Sequence, residues 1–119
     1  MYRGKRPPGD PLPNGERQDT RKHTRHCLRP DDVAVARYLA DPTDAAWRTF
    51  AAAYRILLDR RFREDRTEFD RLARLAGETD VNLGCNCPTR KNPRVDRCHT
   101  VLALRFMKAR YPRLGVELP

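Results

Sequence analysis

The sequence lacks the features that would assign it at once to a membrane, secreted or familiar enzyme class. No run of apolar residues approaches the ~20 needed to span a bilayer. The first twenty residues contain no apolar segment of the kind that a secretory signal requires. There is no catalytic pair of acids, no glycine-rich phosphate loop and no Ser–His–Asp pattern. We therefore expect a cytoplasmic protein without a membrane partner, and no conventional enzyme class is indicated.

Lysine is scarce, although the chain is strongly basic. Its 119 residues include 25 Lys and Arg against 16 Asp and Glu, and 21 of the 25 are arginine. The excess lies at the two ends: residues 1–30 hold eight basic and three acidic side chains, and residues 81–119 hold eight and two. Such a surface attracts phosphate, so nucleic acid or another phosphate-bearing ligand is the expected partner. A GC-rich genome would also produce an arginine-rich composition.

The length suits a single domain. Residues 1–20 contain four prolines and three glycines, which predicts a flexible basic N-terminal arm. For residues 21–119 the pattern predicts one small α/β domain, with a short sheet flanked by about four helices.

Helical periodicity accounts for most of the domain. Asp31 is a candidate N-cap for a short helix that ends near residues 40–43. Helices are also predicted over about 64–76, with Gly77 as a left-handed C-cap, and over about 97–110. The clearest helix carries large apolar side chains at spacings of three and four, which favours core packing over a base-stacking face: Trp47, Phe50, Tyr54, Leu57, Leu58 and Phe62.

The period changes to two in "DVNLGCNC", residues 80–87, which predicts a strand. Side chains two apart share a face, so Cys85 and Cys87 are expected together on the apolar side, ~6–7 Å apart at Cα. Pro88 ends the strand. A cationic loop follows, and its basic side chains are the candidate phosphate-binding residues: Arg90, Lys91, Arg94 and Arg97.

Cys98 and His99 open the last helix, so a strand–loop–helix unit would bring them back to the end of the strand. Cytoplasmic cysteines are normally reduced, which favours metal or thiol chemistry over disulfides. Three thiolates and an imidazole suit tetrahedral zinc, with an iron–sulfur cluster as the alternative cofactor. The spacing lacks the C-x₂-C knuckle of a familiar zinc finger. The predicted metal ligands are Cys85, Cys87, Cys98 and His99, with Cys27 as the remote member.

Two other interpretations of these cysteines stay open. In the first, the protein is an enzyme in which Cys98 is a nucleophile or redox thiol activated by the helix N-terminus, while His99 or His26 moves protons. In the second, the cysteines are inert core residues of an interaction module, because free cysteine is among the most buried residue types.

The stretch Val81, Leu83, Gly84, Cys85, Asn86, Cys87, Pro88, followed by Cys98, His99 and Leu102, resembles the C-terminal part of the bacterial family known as domain of unknown function 488. The L-x-C-x-C…C-H core also resembles the related family of unknown function 4326. The resemblance covers roughly residues 25–110, and the helical part fits on Trp47, Phe50, Tyr54, Phe69, Leu72 and Ala73. It implies a small α/β domain with a short sheet flanked by helices, and no activity.

The chain departs from that family in one respect. Many members of family 488 have an earlier strand that leads to an Arg-Pro-Arg-Gly-like turn. Here "HTRHCLRPDD", residues 23–32, stands near that place without a recognisable strand before it. Because one strand cannot form a sheet alone, we expect a homodimer or a protein partner that supplies another strand.

Overall fold

A computed structural model describes residues 1–3, 15–84, 90, 92–94 and 96–118. These residues form an α/β fold in which four helices pack around a small parallel sheet, as the sequence predicts. The elements, in chain order, are β1 (Tyr2–Arg3), β2 (Glu16–Asp19), α1 (Asp32–Ala40), α2 (Asp44–Glu64), α3 (Thr67–Glu78), β3 (Val81–Gly84) and α4 (His99–Arg110).

The three strands lie in the order β1–β3–β2, and both outer strands pair in parallel with β3. In register, Arg3 pairs with Leu83, and Asp19 pairs with Gly84. Parallel pairing places the carboxyl ends of all three strands at one edge of the sheet. Every residue of β3 is buried, as expected of a central strand.

The prediction of a flexible arm over residues 1–20 is wrong where the chain forms the strands β1 and β2, at Tyr2–Arg3 and Glu16–Asp19. The backbone N–H of Glu16 donates to the Asp80 carbonyl at 2.8 Å, and that of Thr20 donates to the Gly84 carbonyl at 3.2 Å. These bonds join segments more than sixty residues apart. They form where the local sequence is polar and shows no strand pattern. Residues 4–14, which hold all four prolines of the predicted arm, lie outside the described residues.

β1 and β2 also bear on the expectation that a partner protein supplies a second strand. β2 precedes the "HTRHCLRPDD" segment and ends four residues before it, so a strand does precede this segment. The chain supplies a three-stranded sheet from its own residues. The sheet therefore gives no reason to require a second protein.

The helix predictions are confirmed in type and place. Asp31 caps α1 by accepting from the Ala34 N–H at 2.9 Å, and Thr43 caps α2 by accepting from the Ala46 N–H at 3.0 Å. The prediction that Gly77 is a left-handed C-cap is wrong. Gly77 lies inside α3, and the C-cap is Thr79, which has an extended φ of −148°. The C-cap of α3 is thus extended rather than left-handed.

The aromatic stripe of α2 faces the core, as predicted. Phe50 and Tyr54 are buried, and Trp47 packs against them half-buried. Ring centroids lie 5.5 Å apart for Trp47 and Phe50, and 5.9 Å apart for Phe50 and Tyr54. Among the described residues, none of the four helices combines the length and apolar character that a membrane crossing needs.

Candidate functional site

The start of α4 places a cysteine and a histidine side by side near the carboxyl edge of the sheet. Cys98 is the N-cap residue, with φ of −122°, and His99 is the first helical residue. The Cys98 Sγ and the His99 Nδ1 lie 3.9 Å apart. Cys98 is only 2% exposed, so its sulfur lies in the interior rather than at an open surface. Two of the residues predicted from the sequence are therefore neighbours in space.

The ring of His99 is oriented by the ends of β2 and β3. Thr20, which follows β2, donates its hydroxyl hydrogen to the Gly84 carbonyl at 3.1 Å, and its Oγ1 lies 2.8 Å from His99 Nε2. A hydroxyl has one hydrogen, so Thr20 Oγ1 accepts from Nε2–H. In the neutral ring, Nδ1 then carries a lone pair, and this is the nitrogen that faces Cys98. Tyr54 packs edge-on against the ring with centroids 6.1 Å apart.

The sulfur of Cys98 accepts a hydrogen bond from a buried side-chain pair. Thr100 donates its hydroxyl to Cys98 Sγ at 3.2 Å and accepts from Arg3 Nε at 3.0 Å. Thr100 is fully buried and Arg3, the last residue of β1, is 5% exposed. A guanidinium that polarises a hydroxyl aimed at sulfur stabilises negative charge there. This arrangement suits either a metal-bound or a reactive thiolate.

The sequence did not single out Arg3, Thr20 or Thr100. Thr100 is next but one to Cys98 along the chain, and that proximity is the one signal that could have drawn attention to it. Arg3 and Thr20 reach the site through strand pairing across more than sixty residues, which no local pattern reveals. All three strands thus contribute to the site at their carboxyl ends.

Cys27 lies in the loop between β2 and α1, and burial raises the pKa of its thiol to about 11. The loop is fixed by α2: Arg61 donates to the carbonyls of Cys27 at 2.9 Å and Arg29 at 2.6 Å, and Tyr54 donates to that of Leu28 at 2.5 Å. Cys27 is therefore a protonated thiol in a structural loop at neutral pH.

His26, next to Cys27, is bonded on both ring nitrogens. Nδ1 lies 3.1 Å from the Leu28 N–H and accepts from it, while Nε2 lies 3.0 Å from Gln18 Oε1. Burial lowers the pKa of His26, with smaller opposing effects from Asp19 and Glu68. The neutral ring satisfies both partners, which indicates a structural role.

Within the described ranges, no three His, Cys, Asp or Glu side chains lie close enough together to hold a metal ion. Cys27 does not join Cys98 and His99 in such a group. The predicted ligands Cys85 and Cys87 lie outside the described residues. Gly84, which precedes Cys85 in the sequence, is linked to His99 through the single hydroxyl of Thr20.

The cationic loop is partly neutralised by its own neighbours. Arg94 pairs with Asp96 at 2.8 Å. Arg97 bonds to Asp44 at the start of α2, and this hydrogen bond raises the pKa of Arg97. Arg90 is exposed and makes no ion pair within the described part of the chain, and Lys91 lies outside it. Of the three predicted phosphate-binding residues that the structure describes, Arg90 is the one without an ion pair.

No known protein family, curated protein or solved structure matches this chain. The resemblance to family 488 therefore stays an expectation from the cysteine core.

Proposed function

We propose that the chain is a zinc-binding protein in which Cys98 Sγ and His99 Nδ1 are two of the metal ligands. The supporting observation is their separation of 3.9 Å, with the lone pair of Nδ1 on the side of the sulfur. A thiolate at ~2.3 Å and an imidazole nitrogen at ~2.0 Å from tetrahedral zinc lie roughly 3.6 Å apart. A small movement of either side chain reaches that spacing.

The surroundings of these two residues fit the proposal. Zinc-bound histidine donates its other ring nitrogen to an acceptor, as His99 does to Thr20. A buried zinc thiolate is stabilised by hydrogen-bond donors to sulfur, and Thr100, backed by Arg3, supplies one. Burial of Cys98 favours a ligand over an open nucleophile.

Cys85 and Cys87 complete the proposed set, since they follow directly on the strand whose end is linked to His99. Four protein ligands would close the coordination shell, which is typical of structural zinc. The metal would then fasten the end of β3 to the start of α4. Cys27 is left out of the set because, among the described residues, it does not lie with Cys98 and His99 in a group that could hold a metal ion.

The test is elemental analysis of protein purified without a metal-affinity tag, with thiols counted before and after denaturation. We expect about one zinc per chain and three thiols protected until unfolding. Cys98→Ser should lose the zinc and unfold at lower denaturant, because structural metal binding contributes to folding free energy. Cys27→Ser is the matched control and should keep the zinc. Metal-free protein, iron with sulfide, or full zinc in Cys98→Ser would each contradict the proposal.

A reactive thiol is the second candidate, and the hydrogen bond from Thr100 to Cys98 Sγ favours it. Iodoacetamide is a suitable probe. The Cys98 sulfur would bond to its CH₂ carbon as the carbon–iodine bond breaks, iodide would leave, and the thiol proton would pass to His99 Nδ1. Experiments on the metal-free protein distinguish the zinc site from the reactive thiol. A folded apoprotein whose Cys98 alkylates faster than Cys27 would support the enzyme, and loss of fold on chelation would support zinc.

A further inference from the structure

A groove of about 680 Å³ lies between α2 and α4; neither Cys98 nor His99 lines it, although Tyr54, which packs against the His99 ring, does. It extends along residues 51–59 of α2 and 102–110 of α4, which is about 12 Å of each helix. Its floor includes Leu58, Leu102 and Phe106, and the short side chains of alanines leave it open. The volume lies in the range of small-molecule sites, and much of the lining is apolar.

Basic side chains dominate the rim of this groove. Arg55, Arg105 and Arg110 line it together with one acid, Asp59. Asp59 is already engaged by Arg110 at 2.7 Å and lies 4.0 Å from Arg55. Arg105 is exposed and has no hydrogen bond or ion pair with any residue that the structure describes. The rim therefore holds a net positive charge above an apolar floor.

We propose that this groove binds a small anionic amphiphile, with an apolar chain about 12 Å long on the floor and a carboxylate at Arg105. The charge argues against a second copy of the chain, which would bring the same arginines to the same place. The length argues for a small ligand, because about two turns of each helix make too small a surface for a stable protein interface. This inference does not depend on the zinc proposal, since neither Cys98 nor His99 lines the groove.

The test compares two amphiphiles with the same ten-carbon chain, decanoate and decyltrimethylammonium, titrated by calorimetry at low salt and below the concentrations at which they form micelles. Decanoate should bind one per chain, and at least ~10-fold more tightly than the cation, because the headgroup pairs with Arg105 in a poorly screened site. In Arg105→Gln the preference for decanoate should become smaller than in the wild-type chain, because only Arg55 and Arg110, which share Asp59, then remain on the rim.

Two further variants of α2 locate the ligand. Ala52 lines the groove and Ala53, its exposed neighbour, does not. Ala52→Phe should weaken decanoate binding at least ~10-fold by filling the groove, and Ala53→Phe should leave it unchanged. Far-UV circular dichroism confirms that each variant is folded.

Several outcomes would overturn the proposal. Equal affinities for the two headgroups in the wild-type chain would remove the anionic specificity. Equal losses in Ala52→Phe and Ala53→Phe would place the ligand elsewhere. If decanoate does not bind, and the chain self-associates in sedimentation through a contact that Ala52→Phe abolishes, the groove is a subunit interface instead.

Discussion

Thr100 forms hydrogen bonds both with the sulfur of Cys98 and with the guanidinium of Arg3. Thr100→Val keeps the shape and removes the hydroxyl, so Arg3 Nε loses this acceptor and Cys98 Sγ loses this donor in a region that is at most 5% exposed. We expect the free energy of unfolding to fall by about 1–3 kcal/mol. Denaturant titration monitored by circular dichroism measures it.

Thr49→Val is the matched control, because Thr49 makes only an exposed hydroxyl bond to Ala45 O on α2. Its effect should stay within about 0.5 kcal/mol. A double-mutant cycle with Arg3→Met tests the pair directly, and the two changes should be non-additive. Strict additivity would mean that Arg3 and Thr100 do not act together.

His26 gives the stability of the protein a dependence on acid. Burial lowers its folded pKa below the ordinary value near 6.5, so the unfolded state binds the proton more readily. The stabilisation is complete above about pH 6.5 and is lost as the pH falls through the folded pKa, by at most ~1.4 kcal/mol per pH unit for one proton. Asp19, with a pKa of about 2, does not titrate in this range.

We expect His26→Gln to be less stable than wild type at pH 7.5 and to show a shallower fall between pH 7 and 5. His23→Gln, at an exposed histidine in the same loop, should keep the wild-type slope. Urea titrations at matched ionic strength measure both. A wild-type slope in His26→Gln would assign the acid sensitivity to another group.

At the scale of elements, two glycines have opposite consequences. A Cβ on Gly15 would lie 2.3 Å from the Asp80 carbonyl oxygen, the acceptor of the first β2–β3 hydrogen bond. Gly77, inside α3, has open space around the same position. Gly15→Ala should therefore destabilise the fold by about 1–3 kcal/mol through strand displacement, and Gly77→Ala should stabilise it by up to about 1 kcal/mol. Thermal melts of the two variants compare them, and a stable Gly15→Ala protein would contradict the pairing of β2 with β3.

The elements differ in whether the sequence predicts them, because some depend on local residues and others on distant ones. The helices were predictable because their caps and apolar stripes lie within one segment, as with Asp31 in α1 and Phe50 in α2. β3 was predictable as the one stretch with a period of two. β1 and β2 were missed because two and four residues, most of them polar, show no alternation. Their pairing depends on β3, which lies far along the chain.

The residues of the candidate site likewise include some that the sequence predicts and some that it does not. Cys98 and His99 were predicted at the start of the last helix because they precede an apolar periodicity. Arg3 and Thr20 reach them only through the sheet, so their contribution could not be predicted before β1 and β2 were known. Whether Cys85 and Cys87 meet them stays a prediction.

At the scale of the whole molecule, the charge of +9 remains to be explained. We propose that the surface around the loop before α4 binds nucleic acid through phosphates. Of the predicted contacts, Arg90 has no ion pair within the described ranges, whereas Arg97 is 12% exposed and bonded to Asp44. The two arginines should therefore behave differently, although each substitution removes one charge from the same loop.

Binding of a single-stranded oligonucleotide, followed by fluorescence anisotropy from 50 to 300 mM salt, tests this division. The logarithm of the affinity should fall linearly with the logarithm of salt, because bound phosphates release counterions. Arg90→Gln should reduce that slope by about 0.7, the value for one contact to a single strand. Arg97→Gln should leave the slope unchanged and lower the stability instead, because it removes the ion pair between the loop and Asp44 at the start of α2. A salt-independent affinity, or equal slopes in Arg90→Gln and the wild type, would remove this loop from the interface and leave the basic composition without a phosphate partner at this place.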